Sequence, residues 1–215
     1  ALASLLRAGG IRDERVIAAV AGLDRARFVP APWRGEAAAD RPLPIGEGQT
    51  ISQPTLVAAM TELLALGGAE RVLEVGTGSG WQAAILSPLC AEVFSIERRP
   101  ALAARARALL LDDLGLGNVH LRVGDGALGW PEEAPFDRIL VTAAAPEVPP
   151  ALLAQLAPGG RLLAPVGPPE GPQWLRLVTF DWDGRARARD VTPVRFVPLV
   201  TGGGREGAAG GGPPR

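Results

Sequence analysis

Along the central part of the chain, short apolar runs alternate with segments in which apolar residues recur at helical spacing. Five runs have the length and apolar content of buried strands, at residues 71–76, 92–97, 118–125, 136–144 and 161–167. Apolar residues at helical spacing predict helices between several of these runs, at 81–89, 100–115 and 149–160. Apolar strands that alternate with helices form a parallel sheet that is covered on both faces. The pattern therefore predicts a doubly wound α/β domain.

Both ends of the chain depart from this alternation. Residues 1–29 carry helical stripes, with Asp13 as the expected N-cap of a second helix, and residues 55–66 resume helical spacing after an irregular proline-rich stretch. Two late apolar runs, 175–182 and 191–200, are joined across a turn at Asp183-Gly184 and predict a terminal antiparallel pair.

These boundaries predict one domain over residues 1–201. Its N-terminal helices and a loop would occupy residues 1–54, and a core sheet with its helices would occupy residues 55–201. The last stretch, 202–215, is too rich in glycine to pack, so a disordered tail is expected there.

Composition narrows the range of functions. The chain has 215 residues and a net charge of −1, and no basic face points to a nucleic-acid partner. A single cysteine and a single histidine exclude a CxxC or His-rich metal site, so no metal is expected. Cys90 lies in an apolar context typical of core packing, and His120 lies within the third strand, where we expect a structural role. One unpaired cysteine and the lack of an apolar run of bilayer length predict a cytoplasmic protein that does not bind membranes.

The stretch LEVGTGSGWQ, residues 73–82, is the sharpest local signal. Its glycines follow a strand and open a helix, so bare backbone and free amides would face a ligand. The GxGxxG fingerprint of dinucleotide-binding proteins fits poorly, because Trp81 stands where the third glycine would fall. The ExGxGxG spacing resembles instead the cofactor loop of S-adenosylmethionine-dependent methyltransferases.

Two acidic residues support a nucleoside-like ligand. Glu97 ends the second strand, where an acidic residue in doubly wound folds binds ribose hydroxyls. Asp125, in GDG at the end of the third strand, could accept a hydrogen bond from an adenine amino group.

Further motifs carry a resemblance to one family. GQTISQP, GDG, APFDRILVTAAAPEVP, QLAPGGRLLAPVG and VRFVPLV, together with the glycine loop, closely resemble protein-L-isoaspartate O-methyltransferases over about residues 10–201. The resemblance implies a Rossmann-like class I methyltransferase fold with seven strands. It also implies methyl transfer from S-adenosyl-L-methionine, with S-adenosyl-L-homocysteine as product, to the free carboxylate of L-isoaspartyl residues in damaged proteins and peptides. The methyl ester would then cyclise to a succinimide that hydrolyses partly to aspartate, which repairs the protein.

The resemblance also implies roles for individual residues. Ser52 would be the active-site serine, Glu97 would bind the ribose, Asp125 with Gly126 would bind the adenine, and Pro198 to Val200 would close over the cofactor. The residues implied to bind the cofactor are Gln49, Thr50, Ile51, Ser52, Glu74, Gly76, Thr77, Gly78, Glu97, Arg98, Asp125, Gly126 and Val200. Those implied to bind the peptide are Ile51, Ser52, Pro198 and Leu199. Trp81 departs from the tyrosine expected there, and AAADRP lacks an aromatic that often precedes PLPIG, which bears on substrate preference and not on the reaction.

The implied chemistry does not need a general base. An aspartyl-type carboxylate has a pKa of about 3.9 and is already ionised at neutral pH. Ser52 is therefore expected to orient the acceptor, not to act as a nucleophile. Three alternatives stay open: a dinucleotide-dependent oxidoreductase, a carboxyl methyltransferase for a ribosomally made peptide, and a non-catalytic peptide-binding module. We expect a monomer.

Overall fold

A computed structural model of the chain describes residues 2–202. The predicted disordered tail therefore lies, except for Gly202, outside the described residues. Six α-helices occur within them: α1 Leu2–Ala8, α2 Glu14–Gly22, α3 Pro54–Leu63, α4 Trp81–Leu86, α5 Pro100–Arg107 and α6 Pro150–Leu153. Nine strands occur there: β1 Leu43–Gly46, β2 Gln49–Ile51, β3 Arg71–Val75, β4 Glu92–Glu97, β5 Val119–Val123, β6 Phe136–Val141, β7 Leu156–Val166, β8 Gln173–Phe180 and β9 Ala186–Val194.

Seven of the strands form one sheet in the order β5-β4-β3-β6-β7-β8-β9. Strands β3 to β7 run parallel, and β8 and β9 are antiparallel additions at one edge. This is the seven-stranded, mostly parallel sheet that the sequence predicted. The chain moves from β3 to β4 on one side and later to β6 on the other, so the strand order reverses at β3. Ligands of open α/β sheets bind at the carboxyl ends of strands at such a switch point.

The core has two layers, one on each face of the sheet. Successive residues of a strand point to opposite faces, so Val72 packs with the N-terminal helices while Leu73 and Val75 pack against Phe94, Phe136 and their neighbours. Val72 and Leu73 are fully buried. Each such apolar side chain contributes about 1.5–3 kcal/mol by leaving water. Because side chains on both faces of the central strands are buried, these strands appear in the sequence as continuous apolar runs.

The N-terminal helices are fixed to the core by polar contacts at their ends. Asp13 caps α2, as predicted, by accepting a hydrogen bond of 2.9 Å from the backbone N–H of Arg15. The carboxylate of Glu62 in α3 accepts hydrogen bonds of 2.6 Å from the backbone N–H groups of both Arg12 and Asp13. Within residues 2–202, none of the helices combines the length and apolar character needed to cross a bilayer.

The proline-rich stretch expected to be an irregular loop contains a β-hairpin. Strands β1 and β2 pair antiparallel, with Leu43 opposite Ile51. Their turn, Gly46-Glu47-Gly48, has positive φ at all three residues, at 90°, 53° and 68°. The two glycines adopt these angles at little cost. Strands of three and four residues are too short for their alternation to stand out in the sequence.

Three predicted element bounds were wrong. The helix expected at 149–160 is only α6, because Leu156 already pairs with β6 and Pro158-Gly159-Gly160 cannot continue a helix. The helix expected at 100–115 leaves α-geometry after Arg107 and continues as a π-helical turn over Ala108–Asp113. The strand expected at 191–200 is instead β9, which ends at Val194.

The segment after β9 leaves the sheet edge for a specific reason. The side chain of Gln173 accepts a hydrogen bond from the N–H of Phe196 at 2.7 Å and donates to its carbonyl at 3.3 Å. The chain then crosses to the end of β6, where Pro198 pairs with Ala144. Residues 195–200 therefore lie over the carboxyl ends of the strands and do not extend the edge strand.

The loop after β5 packs tightly on β3, and this contact generates a prediction. A Cβ on Gly126 would overlap the side chain of Val75, whereas a Cβ on Gly124 would lie 3.8 Å from its nearest neighbours. We expect Gly126→Ala to lower the free energy of unfolding by about 1–3 kcal/mol, because the core must shift to admit the methyl group. Gly124→Ala, two residues away, should change it by less than about 0.5 kcal/mol.

Urea denaturation of the two variants beside the parent chain measures the difference. Equal losses of stability for Gly126→Ala and Gly124→Ala would contradict this packing account.

Candidate active site

A cleft opens at the switch point of the sheet, at the carboxyl ends of β3, β4 and β6. Its wall combines the hairpin strand β2, the glycine loop after β3 and the segment after β9. The wall residues are Gln49–Ser52, Val57, Met60, Val75–Ser79, Trp81, Gln82, Ile96–Arg99, Gly126, Thr142, Ala143 and Phe196–Val200. The fold thus brings together most of the residues predicted for the site, from chain segments that are far apart in the sequence.

The glycine loop is shaped by backbone geometry. Gly76, Gly78 and Gly80 have φ values of 100°, 56° and 86°, which other residues adopt only with strain. A Cβ on Gly76 would also overlap the hydroxyl of Thr142 at the end of β6. That hydroxyl donates to the carbonyls of Val75 and Gly76 at 3.0 and 2.8 Å, although one proton can serve only one of them at a time. The loop is therefore fixed from the β6 side and presents backbone to the cleft.

Glu97 is anchored beside this loop. Its Oε2 accepts a hydrogen bond of 2.8 Å from the N–H of Gly78, and its Oε1 accepts one of 2.8 Å from the N–H of Arg99. Each oxygen keeps a free lone pair for a further donor. A fixed carboxylate next to the glycine loop can accept hydrogen bonds from two vicinal hydroxyl groups, which is the geometry that a ribose presents.

Glu74 lies behind the wall. Its carboxyl is fully buried, and its Oε2 accepts a short hydrogen bond from the hydroxyl of Ser95. The Ser95 and Thr77 hydroxyl oxygens are 2.6 Å apart, so a chain of hydroxyls connects Glu74 to the cleft. Burial, with a smaller contribution from the charge of Glu97, raises the pKa of Glu74 to about 8. Its Oε1 has no hydrogen-bond partner within residues 2–202.

Asp125 also stands outside the wall, while its neighbour Gly126 is part of it. Its Oδ1 accepts a hydrogen bond of 3.0 Å from the N–H of Ala127, and its Oδ2 accepts one of 2.7 Å from the N–H of Gly202. Arg98 donates to the carbonyls of Val200 and Gly202, at 3.3 and 2.5 Å. Asp125 and Arg98 therefore hold the backbone at Val200 and Gly202.

The segment Val197–Val200, called the strap below, crosses the cleft. The N–H of Ala144 donates to the carbonyl of Val197 at 2.8 Å, and the N–H of Leu199 donates to the carbonyl of Ala144 at 2.7 Å. These bonds place the strap next to the end of β6, so that Pro198 and Leu199 face the cleft beside the glycine loop. The cover over the cofactor that the resemblance implied for Pro198 to Val200 stays a prediction.

The end of the β1–β2 hairpin forms another part of the cleft wall. Ile51 is buried, and Ser52 follows it at the edge of the wall. The guanidinium of Arg25 donates a hydrogen bond of 2.9 Å to the carbonyl of Ser52 and lies over the ring of Trp81, 5.1 Å from its centroid. Burial lowers the pKa of Arg25 to about 10, which leaves it charged at neutral pH.

Sequence reasoning missed several wall residues. Val57, Met60 and Gln82 enter the cleft from α3 and α4, and their helical spacing marked them only as core positions. Thr142 and Ala143 follow β6 within a motif that had been quoted for its resemblance, without a role for either residue. The signal that could have found them is their position at the carboxyl end of the strand next to β3.

Cys90 and His120 lie outside the wall. Burial raises the pKa of the Cys90 thiol to about 12, so it is not a nucleophile at neutral pH. The ring of His120 stacks on Phe94 with centroids 4.8 Å apart. The structural role that the sequence predicted for both residues stays a prediction.

A doubly wound seven-stranded sheet, a three-glycine loop at its switch point and an acidic residue at the end of the next strand define a class I S-adenosylmethionine-dependent methyltransferase. The family model described as protein-L-isoaspartate(D-aspartate) O-methyltransferase matches residues 1–204. The chain belongs to this family.

Relatives agree with this assignment over nearly the whole chain. The chain is 68% identical over 199 residues to the protein-L-isoaspartate O-methyltransferase of Anaeromyxobacter dehalogenans strain 2CP-1, covering 93% of this chain and 95% of that one. It is 55% identical over 200 residues to the enzyme of Myxococcus xanthus strain DK1622, with 92% and 94% covered.

Solved structures of the family have the same fold. A protein-L-isoaspartate O-methyltransferase structure superposes with a TM-score of 0.84 at 29% identity and covers 93% of this chain, which spans 65% of that protein. A Plasmodium falciparum member in complex with S-adenosyl-L-homocysteine gives a TM-score of 0.79 at 25% identity, with 93% and 96% covered.

The buried carboxyl of Glu74 generates a prediction about pH. Its pKa rises from 4.5 to about 8 on folding, so the folded chain holds the proton more tightly than the unfolded chain does. This contribution to stability is complete below about pH 4.5 and is lost as the pH rises through about 8. Glu74→Gln does not titrate. Its free energy of unfolding relative to the parent should therefore improve by more than about 1 kcal/mol between pH 6 and pH 9.

Urea denaturation at both pH values measures this difference. Glu132→Gln serves as the control, because Glu132 is exposed and its pKa is lowered, so its effect should not grow over that range. A parallel pH dependence of the parent and Glu74→Gln would show that Glu74 is already ionised at pH 6.

Proposed function

We propose that the cleft transfers a methyl group from S-adenosylmethionine to the free carboxylate of L-isoaspartyl residues in damaged proteins and peptides. The observation that carries this proposal is the meeting of two segments in one cleft: the hairpin end with Ser52, and the glycine loop with Glu97 beside it. Family membership supports the reaction, and the geometry supports the division of the cleft into a cofactor side and an acceptor side.

The residues on the cofactor side fit S-adenosylmethionine. The loop glycines leave room for close approach, the fixed carboxylate of Glu97 suits ribose hydroxyls, and the unpartnered Oε1 of buried Glu74 suits a cationic group. When bound, the cofactor supplies an electrophilic methyl group on a sulfonium ion. The residues proposed to hold it are Gln49, Thr50, Ile51, Ser52, Glu74, Gly76, Thr77, Gly78, Glu97, Arg98, Asp125, Gly126 and Val200.

The acceptor side needs to position the carboxylate of the substrate, which carries its negative charge before it binds. An isoaspartyl carboxylate is ionised at neutral pH, so the site must hold it in line and keep water away. The hydroxyl of Ser52 can donate one hydrogen bond to a carboxylate oxygen without taking its negative charge. Ile51, Pro198 and Leu199 supply apolar surface around that position, which would limit its hydration.

The strap is proposed to bind the peptide as well as the cofactor. It is tethered to β6 by backbone hydrogen bonds at Ala144, so its backbone is fixed while its outer side remains available to a peptide. No backbone hydrogen bond is found for the N–H of Val197 or the carbonyl of Leu199 within the described residues, so these groups are available to an extended substrate. A monomeric state and a cytoplasmic location stay predictions.

The test compares two synthetic peptides that differ only in an isoaspartyl or an aspartyl linkage. With labelled S-adenosylmethionine, we expect methyl transfer to the isoaspartyl peptide to be faster by at least about 100-fold, because the normal linkage displaces the carboxylate from the in-line position. Comparable rates on both peptides would contradict the repair function and favour a different carboxylate substrate. Cofactor binding without transfer to either peptide would favour a non-catalytic module.

The role of Ser52 can be tested separately. Ser52→Ala should lower kcat by about 10-fold or more, because an oriented hydrogen-bond donor is lost next to the reacting carboxylate. The Kd for S-adenosyl-L-homocysteine, measured by calorimetry, should change by less than about 3-fold, since the hydroxyl is proposed to serve the acceptor and the contact of Ser52 with the cofactor is proposed to come from its backbone, which alanine keeps.

Ser4→Ala, at an exposed position of α1, is the control for the loss of a serine hydroxyl elsewhere. An unchanged kcat for Ser52→Ala, or an equal loss of turnover and cofactor affinity, would contradict the proposed role.

A further inference from the structure

Arg25 is a buried arginine whose partners are backbone carbonyls. Arg25 is 4% exposed to solvent. The Nη1 atom donates to the carbonyls of Ala37 and Ala39, both at 3.0 Å, and Nη2 donates to those of Arg41 and Ser52, both at 2.9 Å. One guanidinium therefore donates hydrogen bonds to four backbone carbonyls. One of these carbonyls belongs to Ser52, the proposed active-site serine.

The charge of Arg25 is compensated without a carboxylate contact. Within residues 2–202 no ion pair involves Arg25, and the nearby carboxylate of Asp40 is hydrogen-bonded to Thr55. The face of Trp81, the four carbonyl dipoles and the nearby charge of Asp40 offset the positive charge of Arg25. A buried cation is expensive, and a packed apolar side chain would fill the same space at lower cost. What the guanidinium offers and an apolar side chain does not is a set of donors at fixed angles.

The contacts of Arg25 join the two sides of the cleft. The carbonyls of Ala37 to Arg41 belong to the segment that leads into the hairpin, and Ser52 ends the hairpin on the acceptor side. Trp81 is the first residue of α4, directly after the glycine loop on the cofactor side. A planar guanidinium has donors at fixed angles, so it sets the relative position of all three segments.

Ser52 depends on this contact. It lies between the end of β2 and the start of α3, and the bond from Arg25 is its one hydrogen bond within residues 2–202. Arg25 itself is absent from the cleft wall, so it is not placed to touch the cofactor or the substrate.

We propose that Arg25 is a positioning residue for methyl transfer, which fixes Ser52 against the cofactor loop through the Ser52 carbonyl and the ring of Trp81. The inference rests on the proposed function of Ser52 at the methyl acceptor. Arg25 acts on kcat through geometry, because an in-line displacement is sensitive to shifts of about 1 Å in the acceptor.

The test uses two variants of Arg25 and one matched control. Arg25→Met removes the charge and all donors, and Arg25→Lys keeps the charge but lacks the planar fork. The control is Arg138→Met, because Arg138 also donates to backbone carbonyls, of Leu64 at 2.6 Å and of Ala65 at 3.3 Å, from a side chain that is 14% exposed and away from the cleft wall.

Kinetics on the isoaspartyl peptide and binding of S-adenosyl-L-homocysteine are measured on the folded fraction of each variant. Arg25→Met should lower kcat by about 10- to 100-fold and Arg25→Lys by about 10-fold, with the Kd for S-adenosyl-L-homocysteine within about 3-fold of the parent value. Arg138→Met should lower the melting temperature while its kcat stays within about 2-fold.

Three results would overturn the inference: a kcat within 2-fold of the parent for either Arg25 variant, a loss confined to KM, or an equal fall of kcat in Arg138→Met. If Arg25→Met does not fold, Arg25→Lys decides on the same criteria. A parent enzyme that does not methylate the isoaspartyl peptide would refute the proposed function itself, which is a different outcome from an active parent with insensitive Arg25 variants.

Discussion

The buried guanidinium of Arg25 is the contact on which the two-sided cleft depends. The sheet fixes the cofactor side, since the glycine loop leaves β3 and is held by Thr142 from β6. The β1–β2 hairpin lies outside the seven-stranded sheet, and it is held by burial of Leu43, Ile45 and Ile51 in the core and by a hydrogen bond of 2.8 Å from Arg105 to the carbonyl of Ile45. Arg25 adds hydrogen bonds to the flanks of the hairpin and a contact with the face of Trp81. In the proposed account, Arg25 adds the contact that ties the Ser52 end of the hairpin to the first residue of α4, beside the glycine loop.

The electrostatics of the cleft suit a reaction that joins an anion to a cation. Glu97 is fixed by backbone amides, and Glu74 is buried deeply enough that burial raises its pKa to about 8. The Oε1 atom of Glu74 has no hydrogen-bond partner within residues 2–202, so it can accept a hydrogen bond from a bound ligand. The wall contains no histidine within the described residues, which is compatible with an acceptor that needs no general base. Positioning and exclusion of water are then the main contributions that the chain makes to the rate.

Much of this arrangement could be predicted from the sequence, for definable reasons. The central strands are buried on both faces, so their apolar runs stand out, and the glycine loop and Glu97 follow directly from the strand ends. The hairpin was missed because its strands have three and four residues and its turn relies on positive φ at Gly46, Glu47 and Gly48. The end of the edge strand β9 was predicted too late in the chain, because the side chain of Gln173 hydrogen-bonds to the backbone of Phe196 and the chain leaves the sheet edge there. Arg25 was missed because its partners are backbone carbonyls, which leave no side-chain pattern in the sequence.

A double-mutant cycle between Arg25 and Ser52 tests the central claim most directly. If Arg25 acts by placing Ser52, the loss of the Ser52 hydroxyl should matter little once Arg25 is replaced by methionine. The account predicts that Ser52→Ala lowers kcat by less than about 3-fold in the Arg25→Met background, so that the two losses couple strongly. A loss for Arg25→Met/Ser52→Ala equal to the product of the two single losses would contradict it and would show that the two residues act independently.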